Sequence, residues 1–259
     1  MCAISPERLC TLYLPARACD SWGLMSAALR MRVLSNPAEV AALALESVLA
    51  LADRVLAEKN EFRIALAGGN TPRLLYERLS GAADIPWQRW QVYFGDERCV
   101  PPDDAASNFR MASVALLSRV PLPASNVHRI HGELEPELAA ERYEKELGDR
   151  PLDLVLLGMG DDGHTASLFP GRPELTERTR RVLPALAPVP PERRVTLGFR
   201  ALDEACAVFF LVTGASKAAL VARVLSEIKA QNPSLPAARV RPKNGDLEWY
   251  LDEAAATAL

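Results

Sequence analysis

His164 stands at the place in this chain best suited to proton transfer. An unbroken apolar run, Leu154–Leu157, stops at Gly158, and Gly160, Asp161, Asp162 and Gly163 then lead to the histidine. Imidazole changes charge near neutrality, with an unperturbed pKa of about 6.5. A neighbouring carboxylate orients such a ring and stabilises its charged form, so Asp161 or Asp162 completes a general-base pair. Two other chemistries fit poorly. A metal held by Asp161, Asp162 and His164 has no second histidine or cysteine at ligand spacing. A serine nucleophile has no GxSxG elbow to sit in.

The remaining chemistry is cationic. Gly68-Gly69-Asn70-Thr71-Pro72 leads into a helix, whose unpaired N–H groups and positive dipole end suit a phosphate. The plain alternative is a tight turn with Thr71 as cap and Pro72 in the first helical position. Neither a Walker loop nor a GxGxxG fingerprint is present there. Asp96-Glu97-Arg98 reads as a solvated corner or as a place where the planar fork of Arg98 grips an anion. Cys99 beside it has no histidine nearby in sequence and reads as a bystander. In Gly214-Ala215-Ser216-Lys217, a lysine in the first helical turn opposes the dipole by up to roughly 1 kcal/mol, a sign that a bound phosphate reverses. A lysine lying along the surface is the alternative. Arg194, before a further strand, is another cationic candidate with the same two readings. His128 and His131 read as surface residues of a loop.

These residues need elements to hold them. An apolar run buried on both faces marks a strand central in a parallel sheet, and ligands bind beyond the carboxyl ends of such strands. Strands are expected at Phe62–Ala67, Trp90–Phe94, Asp153–Leu157, Arg194–Leu197 and Ala207–Val212, with short ones at Asn126–Ile130 and Ala237–Val240. Asn36-Pro37-Ala38-Glu39 starts a helix as cap, first residue and capping-box acid, and Val40, Leu43, Ala44, Val48, Leu51, Val55 and Leu56 give it one apolar face. Further helices are expected after Thr71, from Ser107-Asn108 through Leu117, over Pro136–Leu147, from Ser216-Lys217 through Ile228, and around Leu247–Ala256. Residues 170–193, rich in proline and arginine, read as an extended surface excursion. The alternation of strand and helix predicts an α/β fold, a doubly wound, mainly parallel sheet in a single domain.

Bulk properties narrow the partners. Of 259 residues, 49% are apolar, 24% are charged and 6% are aromatic, and the net charge is −3. No basic excess or aromatic platform argues for nucleic acid, and no apolar run approaches the length that spans a bilayer. Five cysteines without CxxC spacing argue against a disulfide framework and fit a reducing compartment, so the expected location is cytoplasmic. Three of the five fall in the first 19 residues, which lack both periodicity and signal-peptide features. Residues 1–30 are therefore expected to be a disordered or mis-annotated N-terminal extension, with Met31 the functional beginning of a catalytic domain over 31–259.

Taken in order, GGNTP, FGDERCVP, LLGMGDDGHTASLFPG, RVTL, FFLVTGASKAALVARVL and PAARVRPKNGDLEWYLDEAA closely resemble the 6-phosphogluconolactonases, over roughly Met31 to Ala256. The resemblance implies a Rossmann-like, phosphosugar isomerase/deaminase-like architecture and hydrolysis of 6-phospho-D-glucono-1,5-lactone without cofactor or catalytic metal. By position, it makes His164 the base that activates water and Asp162 its support. It puts Gly69, Asn70, Thr71, Asp96, Arg98, Arg194 and Lys217 at the phosphate and sugar oxygens. The donors to the developing oxyanion stay open, with loop N–H groups around Gly160–Gly163 as one candidate. The implied partner is a small phosphosugar lactone, without nucleic acid or membrane, on a monomer or small homo-oligomer. Two rivals share the fold. Glucosamine-6-phosphate deaminases resemble the chain too, but carry a glutamate where Phe169 falls here. A non-catalytic phosphosugar-binding regulator has no need of His164.

Overall fold

The computed structural model describes residues 8–13 and 28–259. The first half contains β1 (Arg8–Tyr13), β2 (Ala28–Leu34), α1 (Pro37–Glu58), β3 (Phe62–Leu66), α2 (Asn70–Leu79), β4 (Trp90–Phe94), β5 (Asp96–Arg98), α3 (Asn108–Ala112) and α4 (Pro136–Leu147). The second half contains β6 (Leu154–Leu157), β7 (Val182–Leu186), β8 (Arg193–Leu197), α5 (Phe199–Glu204), β9 (Ala207–Val212), α6 (Ala218–Lys229), α7 (Pro236–Arg239) and β10 (Asp246–Asp252).

The main sheet runs β1-β2-β10-β9-β6-β3-β4. Six of its strands are parallel, and β1 adds an antiparallel edge to β2. Every residue of β3, β6 and β9 is buried, which explains the unbroken apolar sequences of β6 and β9; β3 is apolar except for Arg63, which is buried with the rest. Helix α1 buries Val40, Ala44, Val48, Leu51 and Val55, the face its periodicity predicts. Its cap is Asn36, whose side chain accepts from the amides of Ala38 and Glu39. Glu39 reaches one residue further back than a capping box requires, to the Ser35 hydroxyl at 2.6 Å.

The chain leaves β3 for β4 on one side, then crosses back to β6 and continues to β9 and β10 on the other. The direction of travel thus reverses between β3 and β6. In an open parallel sheet that reversal opens a crevice at the carboxyl ends, the usual place for a ligand.

Several expectations about elements give way to long-range pairing. Leu247–Ala256 is not a closing helix. Residues 246–252 form β10, inserted in parallel between β2 and β9. Leu247, Trp249 and Leu251 alternate with Glu248, Tyr250 and Asp252, and Trp249 stacks on Phe210 with centroids 4.2 Å apart. Ala237–Val240 is likewise no strand; α7 takes Pro236–Arg239. Asn126–Ile130 contributes a single bridge, Val127 to Val92. Residues 170–193 are more than a surface excursion, because β7 pairs with β8 and buries Val182 and Leu183. Asp96–Arg98 is no solvated corner either, since β5 joins the other edge of β8 to make a three-stranded antiparallel sheet.

The proposed Met31 boundary falls inside β2, where Leu29 is fully buried. Of the expected N-terminal extension, 8–13 and 28–30 are strand, and the rest lies outside the described residues.

Candidate active site

One cavity of about 680 Å³ occupies the crevice at the carboxyl ends of the parallel strands. Gly69, Asn70 and Thr71 line it after β3, Gly158, Gly160 and His164 after β6, and Thr213 and Lys217 after β9. The small sheet contributes Asp96, Arg98 and Arg194, and Val189, Pro190 and Pro191 overhang from the β7–β8 connection. The structure therefore brings all of the predicted binding residues to one place.

The His164 ring lies directly on the glycine loop. A Cβ at residue 160 would sit 2.0 Å from the imidazole Cε1, so only glycine allows this approach. Asp162 accepts from the His164 amide at 3.0 Å, and its same oxygen meets Nδ1 at 2.5 Å. Burial works against charge on Asp162, but the His164 amide and the imidazole outweigh it and hold the carboxyl below its usual range. An ionised Asp162 accepts a hydrogen bond from Nδ1–H, the tautomer that leaves the Nε2 lone pair free to take a proton. Phe169 is buried against the other side of the ring, with centroids 4.5 Å apart. The two acids are thereby distinguished. Asp162 serves the histidine, whereas Asp161 forms an ion pair with Lys217. The amides expected to face an oxyanion are partly committed: Gly160 N–H donates to the His164 carbonyl and Gly163 N–H to that of Gly160.

Asp96 and Glu97 are both buried. Asp96 accepts from the Asn108 amide group at 3.1 Å and from the Ser167 hydroxyl at 2.7 Å, which ties the small sheet to the loop after His164. Glu97 accepts from the amides of Arg98, Asn108 and Phe109 and from the Ser107 hydroxyl. Burial raises its pKa despite those donors. Arg98 and Arg194 are directly opposite one another across β5 and β8. Neither forms an ion pair among the described residues; the side chain of Arg98 donates to the Ala106 carbonyl and that of Arg194 to the Pro191 carbonyl. Like charges directly opposite are unfavourable. Burial, and then Arg98, push the Arg194 guanidinium down.

Thr71 is not the cap of α2. Gly69 holds that position at φ +105°, a conformation suited to glycine, with no side-chain cap. The Thr71 hydroxyl instead meets that of Thr213 at 2.8 Å, joining the turns after β3 and β9. The second turn is held by Asp252, which accepts from Gly214 N–H at 2.9 Å.

The family model described as glucosamine-6-phosphate isomerases/6-phosphogluconolactonase matches residues 35–249. The chain belongs to this family. Human 6-phosphogluconolactonase is 44% identical over 210 residues, covering 76% of this chain and 81% of that one. The Haemophilus influenzae 6-phosphogluconolactonase is 38% identical over 203 residues, with coverages of 76% and 87%. The crystal structure of the Thermotoga maritima 6-phosphogluconolactonase superposes with a TM-score of 0.77 at 34% identity, covering 86% of this chain and 98% of that one. A monomeric glucosamine-6-phosphate deaminase shares the fold, with a TM-score of 0.75 at 21% identity. Every predicted site residue lies inside the stretch that matches the glucosamine-6-phosphate isomerase/6-phosphogluconolactonase model.

Sequence reasoning missed the residues that hold this family site together. Local sequence gives Asn108, Ser167, Thr213 and Asp252 no site role, because their partners lie 12, 71, 142 and 38 residues away. His128 also differs from a plain surface residue, since it stacks on Tyr93 with centroids 4.4 Å apart. Cys99 stays a bystander, its thiol pKa raised by burial.

Proposed function

We propose that the protein hydrolyses 6-phospho-D-glucono-1,5-lactone to 6-phospho-D-gluconate, the second step of the oxidative pentose phosphate pathway. The observation that carries this reading is an Asp162-oriented His164 sharing one cavity with the cations Arg98 and Arg194, neither of which has a carboxylate partner among the described residues. Arg98, Arg194 and Lys217 supply positive charge to a phosphosugar. Thr71 and the N–H groups at the start of α2 supply donors, and Asp96 accepts from a sugar hydroxyl. With the phosphate fixed, the lactone carbonyl lies over the glycine loop. His164 Nε2 takes a proton from water as its oxygen bonds to the carbonyl carbon. As the ring C–O bond breaks, the imidazolium returns that proton to the departing oxygen. Asp162 stabilises the imidazolium throughout and keeps the ring in the right tautomer. Phe169 puts an apolar face where a deaminase of this fold carries a glutamate, which favours the lactonase over that rival. The reaction is placed in the cytoplasm, a reading supported by free Cys99 and Cys206.

The test is lactone hydrolysis measured above its spontaneous rate at several pH values. His164→Ala is expected to lower kcat/KM by about 10²–10⁴-fold, the range for a positioned general base. Equal rates for the variant and the wild type would remove His164 as the base, and no acceleration by the wild type would remove the activity.

A further inference from the structure

Two adjacent acids precede His164, and the reaction proposed above uses one of them. Asp161 is 80% exposed, and its carboxylate reaches across to the ammonium of Lys217, whose side chain is only 18% exposed and lines the cavity. Lys217 occupies the cap position of α6, where its charge opposes the helix dipole. Of the three cavity cations, it alone has a carboxylate partner among the described residues. That partner comes from the rim, because Asp161 itself does not line the cavity.

We infer that Asp161 is an internal competitor for Lys217, a surrogate anion that occupies the lysine until a phosphosugar displaces it and so sets how tightly the cavity holds phosphate. The inference rests on the reading that Lys217 binds substrate. A phosphate dianion carries more charge than the carboxylate and offers three acceptor oxygens, so it wins the lysine once its other end is held. The wild-type affinity is then the affinity for a bare Lys217 reduced by the strength of the ion pair. Exposed pairs are weak, contributing at most about 1 kcal/mol, which limits the reduction to about fivefold.

The experiment measures KM for the lactone, and binding of inorganic phosphate by calorimetry, in wild type, Asp161→Asn, Lys217→Met and the double variant. Asp161→Asn is expected to lower both KM and the phosphate dissociation constant by about two- to fivefold. Lys217→Met is expected to raise both, and adding Asp161→Asn to it to change neither. Three results would overturn the inference. Unchanged or weaker binding in Asp161→Asn means that the acid positions the lysine rather than competing for it. An equal gain in the Lys217→Met background means that the carboxylate acts through space on the anion. Unchanged binding in Lys217→Met removes the lysine from the substrate site, and with it both this inference and that part of the proposed function. The phosphate measurement needs no turnover, so it reads the competition even if the lactone is the wrong substrate.

Discussion

At the carboxyl ends of the parallel strands Arg98, Arg194 and Lys217 line one cavity, and at the amino ends Lys59, Arg63 and Arg150 line another of about 460 Å³. Lys59 meets Asp153 at 2.6 Å, and Arg150 meets Glu61 at 2.5 Å. The hydrogen bond that Lys59 donates to Asp153, opposed by burial, raises the Lys59 pKa. Arg63 is buried, and its guanidinium donates to the carbonyls of Leu147, Arg150 and Pro151 and to the Tyr93 hydroxyl. At the other end, Arg98 and Arg194 sit opposite one another without an ion-pair partner among the described residues. Equal numbers of cations thus do different work. At the amino ends Lys59 and Arg150 have carboxylates and the buried Arg63 commits its donors to three carbonyls and a hydroxyl, whereas at the carboxyl ends Arg98 and Arg194 each donate to one carbonyl and Lys217 pairs only with the exposed Asp161. What separates the two ends is how far the fold has committed the donors, rather than the charge.

The largest effect that would break this contrast is at Arg98. A charge-assisted hydrogen bond contributes about 1.5–3 kcal/mol, so Arg98→Ala is expected to lower kcat/KM by about 10²-fold. Thermal unfolding should change little, because the variant relieves the repulsion with Arg194. Steady-state kinetics with a melting curve checks both. A variant that melts much earlier while keeping its KM would make this pair as structural as the cations at the opposite end.

Arg63→Ala should behave in the opposite sense. Removing the guanidinium leaves three carbonyls and a hydroxyl without this donor, each costing about 1–3 kcal/mol if water cannot replace it. A loss of roughly 3 kcal/mol in denaturant unfolding is expected, with KM for the lactone unchanged. A shifted KM would instead couple the two ends of the sheet.

The same contrast explains what could be read before the fold was known. Helix α1 and strands β6 and β9 announce themselves locally, through a cap and a period or through an unbroken apolar run. So does His164, because a glycine loop after a buried strand is a local pattern. Strand β10 does not, since Leu247, Glu248 and Ala254–Ala256 favour a helix until β2 and β9 offer their edges to either side. Strand β5 is three residues long and exists because β8, about a hundred residues later, pairs with it. Partnering is equally illegible. Nothing adjacent in sequence says that Lys59 has Asp153 while Arg98 has no carboxylate among the described residues, or that of two neighbouring aspartates one takes the histidine and the other the lysine. The cationic types were visible, and their compensation was not.

The smallest expected effect concerns His164 and Asp162, the pair proposed to carry the chemistry. The pKa of Asp162 is lowered in the folded protein, so its ionised form is favoured there over the unfolded chain. A carboxylate of that kind adds stability at pH values above its ordinary pKa of 3.8, and the contribution is lost as pH falls through the lower folded value. Its side chain is 42% exposed, so water screens the pair and the increment is below about 1 kcal/mol. Melting temperatures from about pH 6 down to about pH 3 should therefore show a slightly steeper acid decline for the wild type than for Asp162→Asn. The two curves should converge at the acid end. Against burial, the His164 backbone amide and then the imidazole lower the pKa, so part of the difference should disappear when both proteins also carry His164→Ala. If the decline is as steep without the histidine, the His164 backbone amide alone holds Asp162 ionised. The carboxylate would then be part of the loop rather than the support of the base.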